Sequence, residues 1–191
     1  MTKIKLCGNF RLQDIDYLNQ VQPDFAGLIL APGHRRSVSR TLAQTMRSQL
    51  ADNIPLVGVF MNQSLREILS YQDIIQYVQL HGQEDEALVA AIQAHGLPVI
   101  KVMTPDQQVS THAAYRLIDA GAGDGQVFDW QQVVASTTPT MLAGGLNISN
   151  LEQAIHQVQP DVVDISSGSE LAGIKNLAQM QKLVQKVRNQ T

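Results

Sequence analysis

Eight short apolar runs, the amphipathic stretches between them and the even spacing of the run ends predict an α/β fold, a single-domain (β/α)8 barrel of the TIM type over residues 1–191. The runs, rich in Val, Ile and Leu, cover 4–7, 25–30, 56–60, 77–80, 99–103, 115–119, 140–143 and 162–166. Each has strand length and composition. Between them, 12–21, 42–50, 65–75, 84–95, 130–135, 151–158 and 177–187 place apolar residues three and four apart, as in Leu12, Ile15, Leu18 and Val21, which is the period of a helix with one buried face. Successive run ends lie about 23 residues apart, which suits repeated βα units and leaves no room for a second domain.

The punctuation agrees with these boundaries. Pro98, Pro105, Pro139 and Pro160, with Asp73, fall near proposed element ends, where a missing amide donor does least harm. Ser149, followed by Asn150, Leu151 and Glu152, is placed to cap the helix after the seventh run, with Glu152 reaching back as a capping box. The segment 104–114 is short and polar for a full helix.

At 191 residues the chain can bury a full core, and its net charge of −3 with 16% charged residues gives no nucleic-acid or membrane bias. No apolar run approaches the roughly 20 residues that span a bilayer. The start Met-Thr-Lys-Ile-Lys enters a strand at once and holds no secretory apolar region, so a cytoplasmic location is expected. The single cysteine excludes an internal disulfide and leaves Cys7 as either an apolar filler or a working thiol. His95, His112 and His156 fall in helical or loop segments and read as surface. No pair of histidines and carboxylates has metal-ligand spacing on one element, so no metal is expected.

In such a barrel chemistry sits at the C-terminal strand ends. The first run ends Lys5-Leu6-Cys7-Gly8 and the sixth Leu117-Ile118-Asp119, putting a thiol and a carboxyl at one mouth. A thiolate facing a carboxylic acid can move protons on a small substrate. The seventh run leads into Gly144 and Gly145 and the eighth into Ser166, Ser167 and Gly168, two side-chain-poor turns suited to bringing backbone N–H groups to a phosphate. Lys5 shares strand parity with Cys7. Its ammonium is placed either to favour the thiolate or to pair with the inward carboxylate of Asp164 in a polar barrel floor.

Taken in order, these strings resemble the phosphoribosylanthranilate isomerase family of tryptophan biosynthesis. They are Lys5 to Gly8, Pro32 to Arg36 with Val38, Val57-Gly58-Val59-Phe60, Gln79-Leu80-His81-Gly82, Asp119, Phe128-Asp129-Trp130, Leu142 to Asn147 and Val163 to Glu170. The resemblance implies a cofactor-free Amadori rearrangement, an aldose–ketose isomerisation of N-(5-phosphoribosyl)anthranilate to 1-(2-carboxyphenylamino)-1-deoxyribulose 5-phosphate. It assigns Cys7 as base, Asp119 as acid and Arg36 as the grip on the anthranilate carboxylate, with Gly144, Gly145, Ser166, Ser167 and Gly168 at the phosphate. Lys5, His81 and Asp164 are supporting residues; His81 either contacts substrate or is satisfied by the backbone. The expected partner is a phosphorylated small molecule, with no nucleic acid or membrane, and the chain is expected to be a monomer.

The chain departs from the family pattern at three places. His34 stands where serine is usual and Ser37 where an aromatic is frequent, with an additional arginine, Arg35, read as solvated. Asn9 and Phe10 follow Gly8 where a small or hydroxyl residue is more usual, which could reshape the entrance. The loop 120–127 is short and carries Asp124 where a small hydroxyl residue is common. Related phosphate-binding barrels would need catalytic lysines (indole-glycerol-phosphate synthase) or metal ligands (ribulose-phosphate epimerase) at the strand ends, and a non-catalytic barrel would lack Cys7 or Asp119.

Overall fold

The computed structural model describes residues 1–119, 121 and 128–190. The eight runs form β1 (Lys3–Leu6), β2 (Phe25–Ile29), β3 (Leu56–Phe60), β4 (Tyr77–Leu80), β5 (Val99–Met103), β6 (Tyr115–Ile118), β7 (Thr140–Leu142) and β8 (Val162–Ile165). All pair in parallel in chain order, and β8 returns to β1 through Lys3 opposite Val162 and Lys5 opposite Asp164, closing the barrel.

Alternation along each strand divides the apolar residues into two cores. One parity points inward: Phe25, Val57, Ile100, Leu117, Met141, Ala143 and Val162 pack together with Tyr77 and Tyr115. Phe25 meets Tyr77 and Tyr115 edge to face at 5.4 and 6.2 Å, which fills the N-terminal end of the barrel and leaves the opposite end for chemistry. The other parity, including Leu6, Leu28, Leu56, Phe60, Leu80 and Ile165, packs against the helices.

The helices are α1 (Leu12–Val21), α2 (Arg40–Gln49), α3 (Leu65–Leu69), α4 (Glu86–Ala94), α5 (Leu151–Val158) and α6 (Leu177–Arg188). Ser39, Ser64, Asp85 and Asn176 cap the N-termini of α2, α3, α4 and α6 by accepting backbone N–H groups. The apolar pattern over 65–75 does not remain helical. The chain leaves the helix at Ser70, whose hydroxyl donates to the Glu67 carbonyl, and Ile74 and Ile75 reach the core from turns that close on the Tyr71 carbonyl.

Two further expectations are corrected. Ser149 does not cap α5: its hydroxyl donates to Asn147 Oδ1, Asn150 occupies the cap position, and Glu152 turns outward to Lys186 at 3.1 Å. The stretch 130–135 makes only a 3-10 turn, Trp130–Gln132, capped by Asp129, before β-branched Val133 and Val134 extend the chain. The segment 104–114, short and polar for a full helix, has none, and side chains hold it. Gln108 accepts from Val134 N and from Arg116 Nη1, and donates to the Pro105 and Gln132 carbonyls, while Arg116 also donates to Thr140 Oγ1 and the Val134 carbonyl. After β8 a 3-10 turn, Ser167–Ser169, leads into a two-stranded hairpin of β9 (Glu170–Leu171) and β10 (Ile174–Lys175) before α6. Among the described residues no helix is long and apolar enough to cross a membrane.

Candidate active site

Cys7 follows β1 directly, its N–H still bonded to the Ile165 carbonyl at 2.9 Å, so the strand geometry aims the thiol into the barrel mouth. The space for it comes from Gly27 on β2. A Cβ there would lie 2.6 Å from Cys7 Sγ, too close for the sulfur to stay, and 3.2 Å from its Cα, a tight contact. Gly27→Ala should therefore move the thiol while leaving the barrel folded. The expected result is a fall in kcat of about tenfold or more, the scale at which small displacements of reacting groups are felt. Steady-state kinetics beside a thermal melt check it; an unchanged kcat in a folded variant would remove Gly27 from the site.

Below the thiol lies a wholly buried lysine. Lys5 Nζ donates to Asp164 Oδ2 at 2.8 Å, and Asp164 Oδ1 has no hydrogen-bond partner among the described residues. Burial alone would lower the Lys5 pKa, but Asp164 and Cys7 more than offset it and the ammonium is held above its usual value. Burial pushes the Cys7 thiol up, Lys5 and Lys175 oppose that shift, and Asp164 reinforces it. With no ligand bound, the thiol form is favoured.

Asp119 follows β6 directly, its N–H bonded to the Met103 carbonyl at 3.0 Å and its Oδ1 accepting from Gly121 N at 3.1 Å. His81 follows β4 directly with its N–H on the Phe60 carbonyl, and its Nε2 lies 3.8 Å from Asp119 Oδ2. Burial, followed by smaller effects that include Lys5, lowers the His81 pKa, so a neutral imidazole faces the carboxyl. Gln79, one inward position earlier, brings Nε2 within 3.5 Å of His81 Nδ1.

Arg36 is buried at the mouth, its Nε 2.8 Å from Glu170 Oε1 and its Nη1 donating to Ser166 Oγ at 2.8 Å. His34 Nδ1 accepts from Arg36 N, and burial together with Arg36 and Arg35 lowers its pKa. Ser37 closes the same turn, accepting from His34 N and donating to the Ala31 carbonyl. Arg35 is exposed, as expected, but paired: Nη2 donates to Glu170 Oε2 at 2.8 Å and Nη1 to the Gly173 carbonyl at 3.0 Å.

Gly144 and Gly145 have φ of 88° and 63°, a backbone region that side chains disfavour. Gly168 sits behind them, where an added Cβ would lie 2.0 Å from the Leu146 carbonyl oxygen, so its lack of a side chain lets the two loops pack. Asn150 Nδ2 and Asn147 Nδ2 both hold the Gly145 carbonyl. A cavity of about 290 Å3 brings together Cys7, Asp119, Arg36, His81, Asp164, Gly144, Gly145, Ser166 and Ser167; Lys5 and Gly168 stand just outside its lining.

Other sequence expectations fall elsewhere. Asn9 does not reach the entrance: it is buried, donating to the Leu6 and Gly27 carbonyls and pinning the turn after Cys7. Apart from Gly121, the loop 120–127, including Asp124, lies outside the described residues. His95, His112 and His156 are exposed. Among the described residues no group of three His, Cys, Asp or Glu side chains could hold a metal ion. Sequence reasoning gave no role to Gly27, Gln79, Glu170 or Lys175. Inward parity could have found the first two; Glu170 and Lys175 reach the site only through the β9–β10 hairpin.

Comparison with known proteins fits this geometry. A family model described as N-(5'-phosphoribosyl)anthranilate (PRA) isomerase matches residues 4–186. An N-(5'-phosphoribosyl)anthranilate isomerase of Lactiplantibacillus plantarum is 42% identical over 97% of this chain and 92% of its own length, and one of Endomicrobium trichonymphae is 35% identical over 99% and 100%. The crystal structure of phosphoribosyl anthranilate isomerase from Thermus thermophilus superposes with a TM-score of 0.90 at 27% identity, covering 100% of both chains. A phosphoribosyl anthranilate isomerase structure in complex with reduced 1-(o-carboxyphenylamino)-1-deoxyribulose 5-phosphate gives 0.81 at 26% identity, covering 99% of this chain and 100% of that one. With its full-length match and its closed parallel barrel, this chain belongs to the N-(5'-phosphoribosyl)anthranilate isomerase family.

Proposed function

We propose that the chain converts N-(5-phosphoribosyl)anthranilate to 1-(2-carboxyphenylamino)-1-deoxyribulose 5-phosphate, the isomerase step of tryptophan biosynthesis, with Cys7 as general base and Asp119 as general acid. The observation that carries this reading is the presence of both groups in one cavity with a guanidinium and a side-chain-poor pair of loops. Asp119 gives a proton to the furanose ring oxygen, the C1–O bond breaks, and the anilino nitrogen lone pair forms an iminium ion. Cys7, as the thiolate left after its own proton has gone to solvent, then takes the proton from C2, and the C–H electron pair moves to give an enolamine, which tautomerises to the ketose. Atoms balance without oxidant or reductant.

The resting thiol suits this order of events. Burial favours the protonated form of Cys7, while Lys5 and Lys175 oppose that shift. A positive iminium next to it adds a further charge that favours the thiolate at the moment a base is needed. Arg36 suits the anthranilate carboxylate because a planar fork matches two carboxylate oxygens. The phosphate is assigned to the turns at Gly144–Gly145 and Ser166–Ser167, where side chains leave the backbone approachable.

The chain is read as a cytoplasmic monomer without nucleic-acid or membrane partners. Support comes from the net charge of −3 and from exposed apolar residues that, apart from the paired Leu171 and Ile174, fall on separate elements, such as Leu12, Met61 and Val109. Sedimentation should then give about the chain mass of 21.0 kDa. The deciding assay follows the fluorescence of freshly generated phosphoribosylanthranilate, with chelator present. Rapid decay to the aminoketose is expected with wild-type protein; no decay, with a control isomerase active in the same mixture, rejects the function.

A further inference from the structure

One carboxylate at the mouth holds three cations. The Glu170 side chain is buried, with Oε1 at 2.8 Å from Arg36 Nε and 3.3 Å from Lys175 Nζ, and Oε2 accepting from Arg35 Nη2 at 2.8 Å and from Arg36 Nη2 at 3.5 Å. Lys175 is itself buried and fixed, donating to the Ser166 carbonyl at 2.8 Å and to Ser169 Oγ at 3.0 Å. Burial alone would raise the Glu170 pKa, yet Lys175, Arg35 and Arg36 hold it below the usual carboxylate range, so it stays ionised. Burial draws the Lys175 pKa down to about 8, against the pull of Glu170, which leaves it mostly charged at neutral pH.

A guanidinium has five N–H donors in one plane. In Arg36, one Nη2 hydrogen goes to Glu170 Oε2 and one Nη1 hydrogen to Ser166 Oγ, while Nε lies 2.8 Å from Glu170 Oε1 as an ion-pair contact, with no hydrogen bond among the described residues. Each terminal nitrogen keeps one further hydrogen, and a pair so placed can meet a carboxylate through two parallel bonds. The three cations also outnumber the single carboxylate, so an anion arriving at the fork still meets net positive charge.

We infer that Glu170, seated by Lys175 beneath it and Arg35 at the rim, is a positioning residue that grips one edge of Arg36 and leaves the other as a preset clamp for the substrate's ring carboxylate. The inference rests on Arg36 being the carboxylate ligand. The opposite arrangement, in which Glu170 competes with the substrate for the guanidinium, makes an opposite prediction.

The test compares two ligands by calorimetry: reduced 1-(o-carboxyphenylamino)-1-deoxyribulose 5-phosphate and its phenylamino analogue without the ring carboxylate. In Glu170→Gln the first should bind about 10- to 100-fold more weakly, the range for loss of an aligned charge-assisted pair, and the second should change by no more than about twofold. Turnover should lose kcat/KM mainly through KM. Equal weakening of both ligands would make Glu170 merely structural, tighter binding of the carboxylate ligand would make it a competitor, and unchanged binding would leave it without a role; each overturns the inference. If Glu170→Gln does not fold, Glu170→Asp carries the same comparison, since it keeps the charge but is one methylene too short for this grip. A wild type that does not prefer the carboxylate ligand, or whose preference survives Arg36→Met, overturns the Arg36 assignment and this inference with it. An intact wild-type preference with a failed Glu170 arm overturns this inference alone.

Discussion

Cys7→Ala should turn over phosphoribosylanthranilate about 10²–10⁴-fold more slowly than wild type, the usual scale of a lost general base, while still binding the reduced ketose analogue. Removing the sulfur takes away a small buried group and leaves the Lys5–Asp164 pair and the anion sites in place. Asp119→Asn should lose activity on the same scale, because an amide cannot deliver the proton that opens the ring. The double variant should fall little further than the worse single one, since each group serves one step of a single sequence. Burial holds the thiol protonated in the free site, so wild-type kcat/KM should rise as pH climbs toward the range where Cys7 ionises. A Cys7→Ala protein with near-normal kcat would end the assignment and move attention to His81, whose neutral imidazole lines the same cavity.

The strand ends were legible because inward and outward parity leave a strong period-two signal, and every expected run lies within one residue of an observed strand. Cys7, Asp119, Arg36 and the two glycine- and serine-bearing turns come to one cavity for the same reason: the barrel maps strand ends onto one face. Local capping was less legible. Ser149 met its sequence criteria, yet the Asn147 side chain took its hydroxyl, a competition that depends on the turn already made by Gly144 and Gly145. The apolar run through Ile74 and Ile75 signalled burial correctly but not helix, because turns also carry residues to a core. Arg35 read as solvated since its partner lies 135 positions away in sequence, and Glu170 and Lys175 were silent because a charged residue in a short hairpin looks like surface until the hairpin folds over the mouth.

Lys5→Met should destabilise the barrel by about 3–5 kcal/mol, the cost of leaving one partner of a buried ion pair without its counter-charge. The side chain is completely buried on β1 opposite Asp164, whose second oxygen already has no hydrogen-bond partner among the described residues, so nothing near at hand replaces the lost ammonium. Urea denaturation should show a lower midpoint with little change in slope. Lys5→Met combined with Asp164→Leu should recover part or all of the loss, because then no charge is stranded. The Lys5 pKa is held above its ordinary 10.5, so its contribution is complete below that value and fades only as pH rises through the higher folded one; the gap between wild type and variant should stay flat through neutrality. The same ammonium lowers the Cys7 pKa. In the fraction of Lys5→Met that folds, alkylation of the thiol should therefore reach its half-maximal rate at higher pH than in wild type. An unmoved alkylation profile together with the stability loss would confine Lys5 to holding Asp164, whereas a shift in both would show one buried charge supporting the barrel floor and tuning the base above it.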